Sequence, residues 1–194
     1  MTDAPVSHVP DDRVALTATL STFDITLSDV DRHVYEALTL KVARHPSESA
    51  EYCWTRVLAY CLEYEEGIAF SKGGVSDPED PPVMIRDLTG ALRAWIEVGA
   101  PDAARLHKAA KASPRVAVYT HKDPRILLRG YEGAKIHRAS EIPIHVIDRG
   151  LLDALVPRLD RRVAFSLSVT ERQLYLDFAG DVESAAIETI ALPG

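Results

Sequence analysis

The 194-residue sequence predicts a mixed α/β domain, and three observations carry that expectation. Apolar residues alternate with period two near both ends of the chain, the pattern of strands with one buried face. Between those ends, stretches with a 3.6-residue apolar period are opened by Ser, Pro or Asp, residue types that start helices. In the middle, residues 92–98, 101–112 and 115–120 read as strand, helix and strand, a βαβ unit whose strands run parallel. A mixed sheet flanked by helices, with a second antiparallel layer of N- and C-terminal strands, accommodates all three.

Taken in order, Met1 to Asp12 is polar, holds Pro5 and Pro10 and shows no period. It is expected to be a flexible tail, leaving residues 13–194 as a single domain. Val14 to Leu27 alternates as a strand, Ser28 to Arg32 breaks it, and Val34 to Val42 resumes, which makes a long hairpin. The first long helix, residues 48–64, has Ser47 as its expected N-cap and Glu48 and Glu51 at the positive end of its dipole. Trp54, Val57, Leu58, Cys61 and Leu62 form its buried stripe, and Glu51 projects within about 20° of Leu58. Ile68 to Ser71 is a short strand. Lys72-Gly-Gly and the Pro-rich acidic stretch Ser76 to Pro82 form a loop long enough to border a cleft.

After the central unit, Pro124 to His137 reads as helical, Ile142 to Ile147 as a strand and Leu151 to Leu159 as a short helix. Val163 to Val169, Leu174 to Phe178 and Ala185 to Leu192 are the expected strands of the second layer. There is no internal repeat or low-complexity segment.

With 22 basic residues against 29 acidic ones, a net charge of -7 gives no global attraction to nucleic acid, so any phosphate site has to be local. Cys53 and Cys61 lie eight positions apart in one helix, about 12 Å along its axis and too far for a bridge. No apolar run approaches the roughly 20 residues of a membrane span, and the first residues show no basic start or apolar h-region, so secretion is not expected. Reduced thiols and a cytoplasmic protein without membrane contact are expected. Walker loops, GxSxG elbows, HExxH and zinc-type Cys/His spacings are all missing from the sequence.

The chemistry concentrates around the central strand. Leu92, Ala94, Ile96 and Val98 share one face, while Arg93, Trp95 and Glu97 share the other. A bend near Ala91 to Arg93 would bring Asp87 opposite Glu97. Two carboxylates in one small volume repel unless a cation sits between them, and hard ions such as Mg²⁺ take one or two carboxylates with water and phosphate. The alternative is a hairpin with Asp87 facing solvent at its turn and Glu97 paired with Arg93. On the helix that follows, Arg105 and Lys108 are the cations placed to reach an anion near the acids.

The run His45-Pro-Ser-Glu48, the step Asp87-Leu-Thr-Gly90, and Trp95-Ile-Glu-Val-Gly99 followed by Pro101-Asp102 resemble the YaeQ family of bacterial proteins from about residue 14 onward. The resemblance implies a restriction-endonuclease-like core of the PD-(D/E)xK nuclease superfamily: helix, three-stranded meander, helix, strand. It also implies Mg²⁺ or Mn²⁺ held by Asp87, Glu97 and a helix carboxylate, Glu51 or Glu48. Gly99 stands where that superfamily's motif has lysine, so Lys108, with Lys72 next, becomes the substitute cation, and Arg105 and Lys72 the phosphate contacts. Two functions are then expected: a metal-dependent nuclease or phosphodiesterase, with Asp87, Glu97 and Lys108 catalytic, or an inactive nuclease-like module. The module would bind nucleic acid weakly, or a protein partner, through the same cleft.

Overall fold

The long apolar stripe of the first helix sets the layering. Residues 18–71 and 80–192 are described by a computed structural model, in which helix α1 (Ala50–Leu62) lies between two sheets. Ser49, not Ser47, caps it, accepting from Tyr52 N. The Ser47 hydroxyl is instead engaged with His45 Nδ1 at 2.7 Å. On one side Trp54 packs edge-on to Phe23 at 5.3 Å between ring centroids and against Phe165 at 5.6 Å. Trp54, Val57, Leu58 and Cys61 have no exposed surface. Removing a side chain such as Trp54 costs about 3–5 kcal/mol.

The first sheet contains β1 (Thr19–Asp29), β2 (Val34–Arg44), β8 (Arg162–Thr170), β9 (Gln173–Phe178) and β10 (Asp181–Ala186), in the order β10-β9-β8-β1-β2. The expected antiparallel layer is thus corrected at its centre, because β1 and β8 pair in parallel. Their inward residues, Phe23, Ile25 and Leu27 with Val163, Phe165 and Leu167, cover α1.

The second sheet contains β3 (Ile68–Phe70), β4 (Val83–Arg86), β5 (Leu92–Val98), β6 (Arg115–Thr120), β7 (Pro143–Val146) and β11 (Glu188–Ala191), in the order β11-β7-β6-β5-β4-β3. Strands β3, β4 and β5 form an antiparallel meander, and β5, β6 and β7 run parallel. Helix α2 (Ala103–Ala112) joins β5 to β6, and α3 (Pro124–Tyr131) joins β6 to β7. Both crossovers step the same way along the sheet, so equal handedness puts both helices on one face. There Leu106, Ala109, Leu127 and Tyr131 cover Trp95, Val116 and Val118. Helix α4 (Arg149–Leu155) returns to the α1 layer.

Two element boundaries differ from expectation. The helix expected to reach His137 stops at Tyr131, two residues before Gly133 takes a φ of +71°. The strand expected over 185–192 breaks at Ile187: β10 stays with β9, while β11 crosses to pair with β7 and stitches the sheets together. The N-terminal tail lies outside the described residues. Among those described, no helix is long and apolar enough to cross a membrane.

Candidate functional site

Three parallel strands end on one edge of the second sheet, which is where open α/β sheets place ligand crevices. A cleft of about 490 Å³ lies there, lined among others by Glu48, Tyr52, Asp80, Glu97, Arg105, His121 and Lys122. Strand β5 supplies Glu97 at its carboxyl end, β6 leads into His121 and Lys122, and the start of α1 supplies Glu48 and Tyr52.

Glu97 is 2% exposed. Strand alternation puts it on the Trp95 face, as expected, and its Oε1 accepts from Trp95 Nε1 at 2.5 Å and Arg105 Nε at 2.6 Å. The partner is therefore Arg105, one turn into α2, and not Arg93, which is exposed. Asp102 caps α2 by accepting Arg105 N–H at 2.8 Å, which fixes the arginine's backbone beside the strand end. The guanidinium also donates from Nη2 to Asp80 O at 3.0 Å and lies 5.7 Å from the Trp95 ring centre. Burial raises the Glu97 pKa above the usual carboxylate range, opposed by Arg105 and then by the Trp95 N–H.

Glu48 is the second buried acid. Its Oε2 accepts from Arg56 Nη2 at 3.1 Å, and Arg56 also holds Ala43 O at 2.7 Å while lying near the Tyr52 and Phe70 rings. Across the cleft, burial and the neighbouring Lys122 push the His121 pKa down to about 4, against the pull of Glu51. Its imidazole is neutral at pH 7, meets Tyr52 edge-on at 6.2 Å, and keeps a buried Nδ1 without a hydrogen-bond partner.

The other expected site residues lie elsewhere. Asp87 is at the tip of the β4–β5 hairpin, where its Oδ1 accepts from Thr89 N, Thr89 Oγ1 and Ala91 N at 2.9, 2.6 and 3.1 Å. These bonds, led by the Thr89 hydroxyl, pull its pKa down against an opposing burial effect. Because Arg86 pairs with Leu92, Asp87 is about five strand steps, roughly 17 Å, from Glu97. The expected Asp87–Glu97 pair does not form. The chain turns at Leu88-Thr89, earlier than expected, because Asp87 closes an Asx turn. The register instead runs Val83 against Ile96, so the acid nearest Glu97 along β4 is Asp80, before the strand begins.

Lys108 is exposed on α2 and does not line the cleft; among the described residues Lys122 is the lysine that does. Glu51 borders the adjoining concavity. Its own backbone N–H and then the Ser49 hydroxyl lower its pKa against a burial effect, so it serves the helix start. Lys72 lies outside the described residues. Gly99 has a φ of +89°, where a lysine would be strained, which accounts for glycine at that position.

The carboxylates present do not form a metal cage as they stand. Each buried acid has an oxygen committed to an arginine, and among the described residues no three His, Cys, Asp or Glu groups are placed to hold an ion. Asp80, His121, Lys122 and Tyr52 escaped sequence reasoning. The first three had a usable signal: they flank the two ends of strands that a βαβ unit with a DLTG turn would bring to one edge.

A family model described as YaeQ protein matches residues 14–186. The chain belongs to the YaeQ family. An uncharacterised YaeQ protein of Salmonella typhi is 27% identical over 168 residues, covering 86% of this chain and 92% of that one. The uncharacterised YaeQ of Escherichia coli is 34% identical over 108 residues, 56% of this chain and 59% of its own length. Crystal structures of YaeQ proteins from Pseudomonas syringae and Xanthomonas axonopodis pv. citri superpose with TM-scores of 0.80 and 0.81, each at 26% identity. They cover 90% and 91% of this chain, and 96% and 100% of theirs. The YaeQ fold is therefore shared along nearly the whole chain, while the two names drawn from curated relatives assign no activity.

Proposed function

We propose that this YaeQ protein is a nuclease-like binding module of PD-(D/E)xK descent, which holds nucleic acid weakly in the cleft between β5, β6 and α1. The descent is supported by the order α1, β3-β4-β5 meander, α2, β6. The observation that carries binding over cleavage is Arg105 lodged on Glu97: a guanidinium occupies the carboxylate oxygen that a divalent ion would need. Among the described residues that line the cleft, Glu48 and Glu97 are each offset by an arginine, which leaves Lys122 against Asp80. Such a site would tolerate a phosphate without a strong field, from which weak affinity is expected.

A second reading has its own support, since Glu48, Asp80 and Glu97 line one cleft. A metal-dependent phosphodiesterase would need Arg105 to leave Glu97, and Mg²⁺ or Mn²⁺ would then polarise the phosphate. Fluorescence anisotropy with labelled oligonucleotides, run beside a cleavage assay with Mg²⁺ or Mn²⁺ on wild type and Glu97→Gln, tests both. Salt-sensitive binding weakened by Lys122→Ala, with no cleavage, is expected. Cleavage that disappears in Glu97→Gln would establish the hydrolytic reading instead.

A further inference from the structure

A basic side chain stands after the carboxyl end of each of the three parallel strands, two of them in the cleft and one outside it. Arg105 follows β5 in the first turn of α2, Lys122 follows β6, and Arg149 opens α4 after β7. Neighbouring strands lie about 4.8 Å apart, so the three backbone exits span about 10 Å across the edge. The concavities along that edge run together. The cleft, a second of about 600 Å³ and a third of about 720 Å³ all share His121 and Lys122, and the latter two share Arg149. Lys122 is exposed, and among the described residues no ion pair engages it. Arg149 has a side chain 91% exposed, with Asp153 only at 4.0 Å.

Building on the binding function proposed above, we propose that the ligand is a single-stranded nucleic acid lying across the ends of β5, β6 and β7, its phosphates passing Arg105, Lys122 and Arg149 in turn. Acids also border the track, and they decide the class of strand. Asp123 and Asp148 are engaged as helix caps, accepting Arg125 N and Leu151 N at 2.9 Å each, so part of their charge is spent on the helix ends. Glu51, Asp153 and Glu188 remain on the rim. A duplex carries about one charge per 1.7 Å and would be repelled by that rim, whereas one flexible strand has half the charge density and can follow a bent groove. Neutral His121 and exposed Ile126 offer apolar surface to unstacked bases.

The test is anisotropy with labelled single strands of about three, six and twelve nucleotides and a matched duplex, across a salt series. Variants are Lys122→Ala, Arg149→Ala and, as a control on the far sheet, Lys41→Ala. Affinity should rise with length and exceed that for the duplex. Lys122→Ala and Arg149→Ala should each weaken the twelve-nucleotide strand several-fold and flatten the salt slope by about 0.7, together additively, with Lys41→Ala unchanged. If Lys122→Ala weakens binding but Arg149→Ala and length do not matter, the ligand stops within the cleft; the track is then wrong while cleft binding stands. A duplex bound more tightly than the single strand also overturns the track. If no oligonucleotide binds, the binding function itself fails. Both substituted residues are exposed, and unchanged thermal melts confirm that the variants fold.

Discussion

Glu48–Arg56 and Glu97–Arg105 are both carboxylate–guanidinium pairs on the same cleft, yet they differ in access. The Glu48 and Arg56 side chains are 0% and 2% exposed, and Arg56 is further held by Ala43 O and two aromatic rings. In the other pair Arg105 is 23% exposed and reaches Glu97 from a helix that starts beside solvent. The closed pair ties α1 to the end of β2 and has no freedom to meet a ligand. The half-open pair leaves part of the Arg105 guanidinium in reach of solvent while its Nε stays on Glu97. On the binding function proposed above, equal chemistry would serve architecture at one acid and recognition at the other, with solvent access as the difference.

The largest effect should come from breaking the closed pair. Arg56→Met leaves Glu48 buried without its cation and should cost about 3–5 kcal/mol, read from urea unfolding. Adding Glu48→Gln should recover much of that loss, and a cycle showing no recovery would mean that Arg56 acts by packing alone. Arg105→Ala should cost less, about 1–3 kcal/mol after allowing for solvent at the guanidinium, but it should reduce oligonucleotide binding where Arg56→Met, if folded, does not. Equal binding losses in both variants would erase the distinction between the pairs.

Alternation made the strands legible, and the apolar stripe with its caps did the same for α1 and α2, because those patterns are local consequences of burial on one face. The βαβ step also placed Glu97 and Arg105 near one another. What stayed hidden was non-local: the parallel pairing of β1 with β8, the jump of the last strand between sheets, and the convergence of Lys122 and His121 on Glu97. The Asp87 expectation failed for a narrower reason. A DLTG sequence is a turn signal as well as an acid, and reading it as the turn moves the hairpin register so that Asp80 faces the cleft. Asp87→Ala should accordingly lower the urea midpoint slightly through the lost turn bonds and leave ligand binding unchanged. A loss of binding with stability intact would put Asp87 back in the site.

The smallest effect is a pH signature of the half-open side of the cleft, where two shifted groups oppose one another. His121 has a folded pKa of about 4, below the ordinary 6.5, so the unfolded chain binds more protons between those values. Its contribution to stability is present above about 6.5 and is lost as pH falls toward 4. Glu97 behaves oppositely. With a folded pKa raised above the usual 4.5, the native state holds more protons, so its contribution is present at low pH and is lost as pH rises through the unfolded and then the folded value. Above about 4.5, for as far as the raised Glu97 value extends, the two therefore partly cancel in the wild type. Glu97→Gln removes the gain on acidification and should make the urea midpoint fall more steeply from neutral pH downward. His121→Gln removes the loss and should make the same curve shallower. The closed pair offers a control, because its buried partners should leave the difference curves of these two variants untouched when Glu48→Gln is added. Parallel curves for wild type, Glu97→Gln and His121→Gln would mean that solvent reaches both groups freely, and the cleft would then lack the desolvation that sets it apart from the rest of the surface.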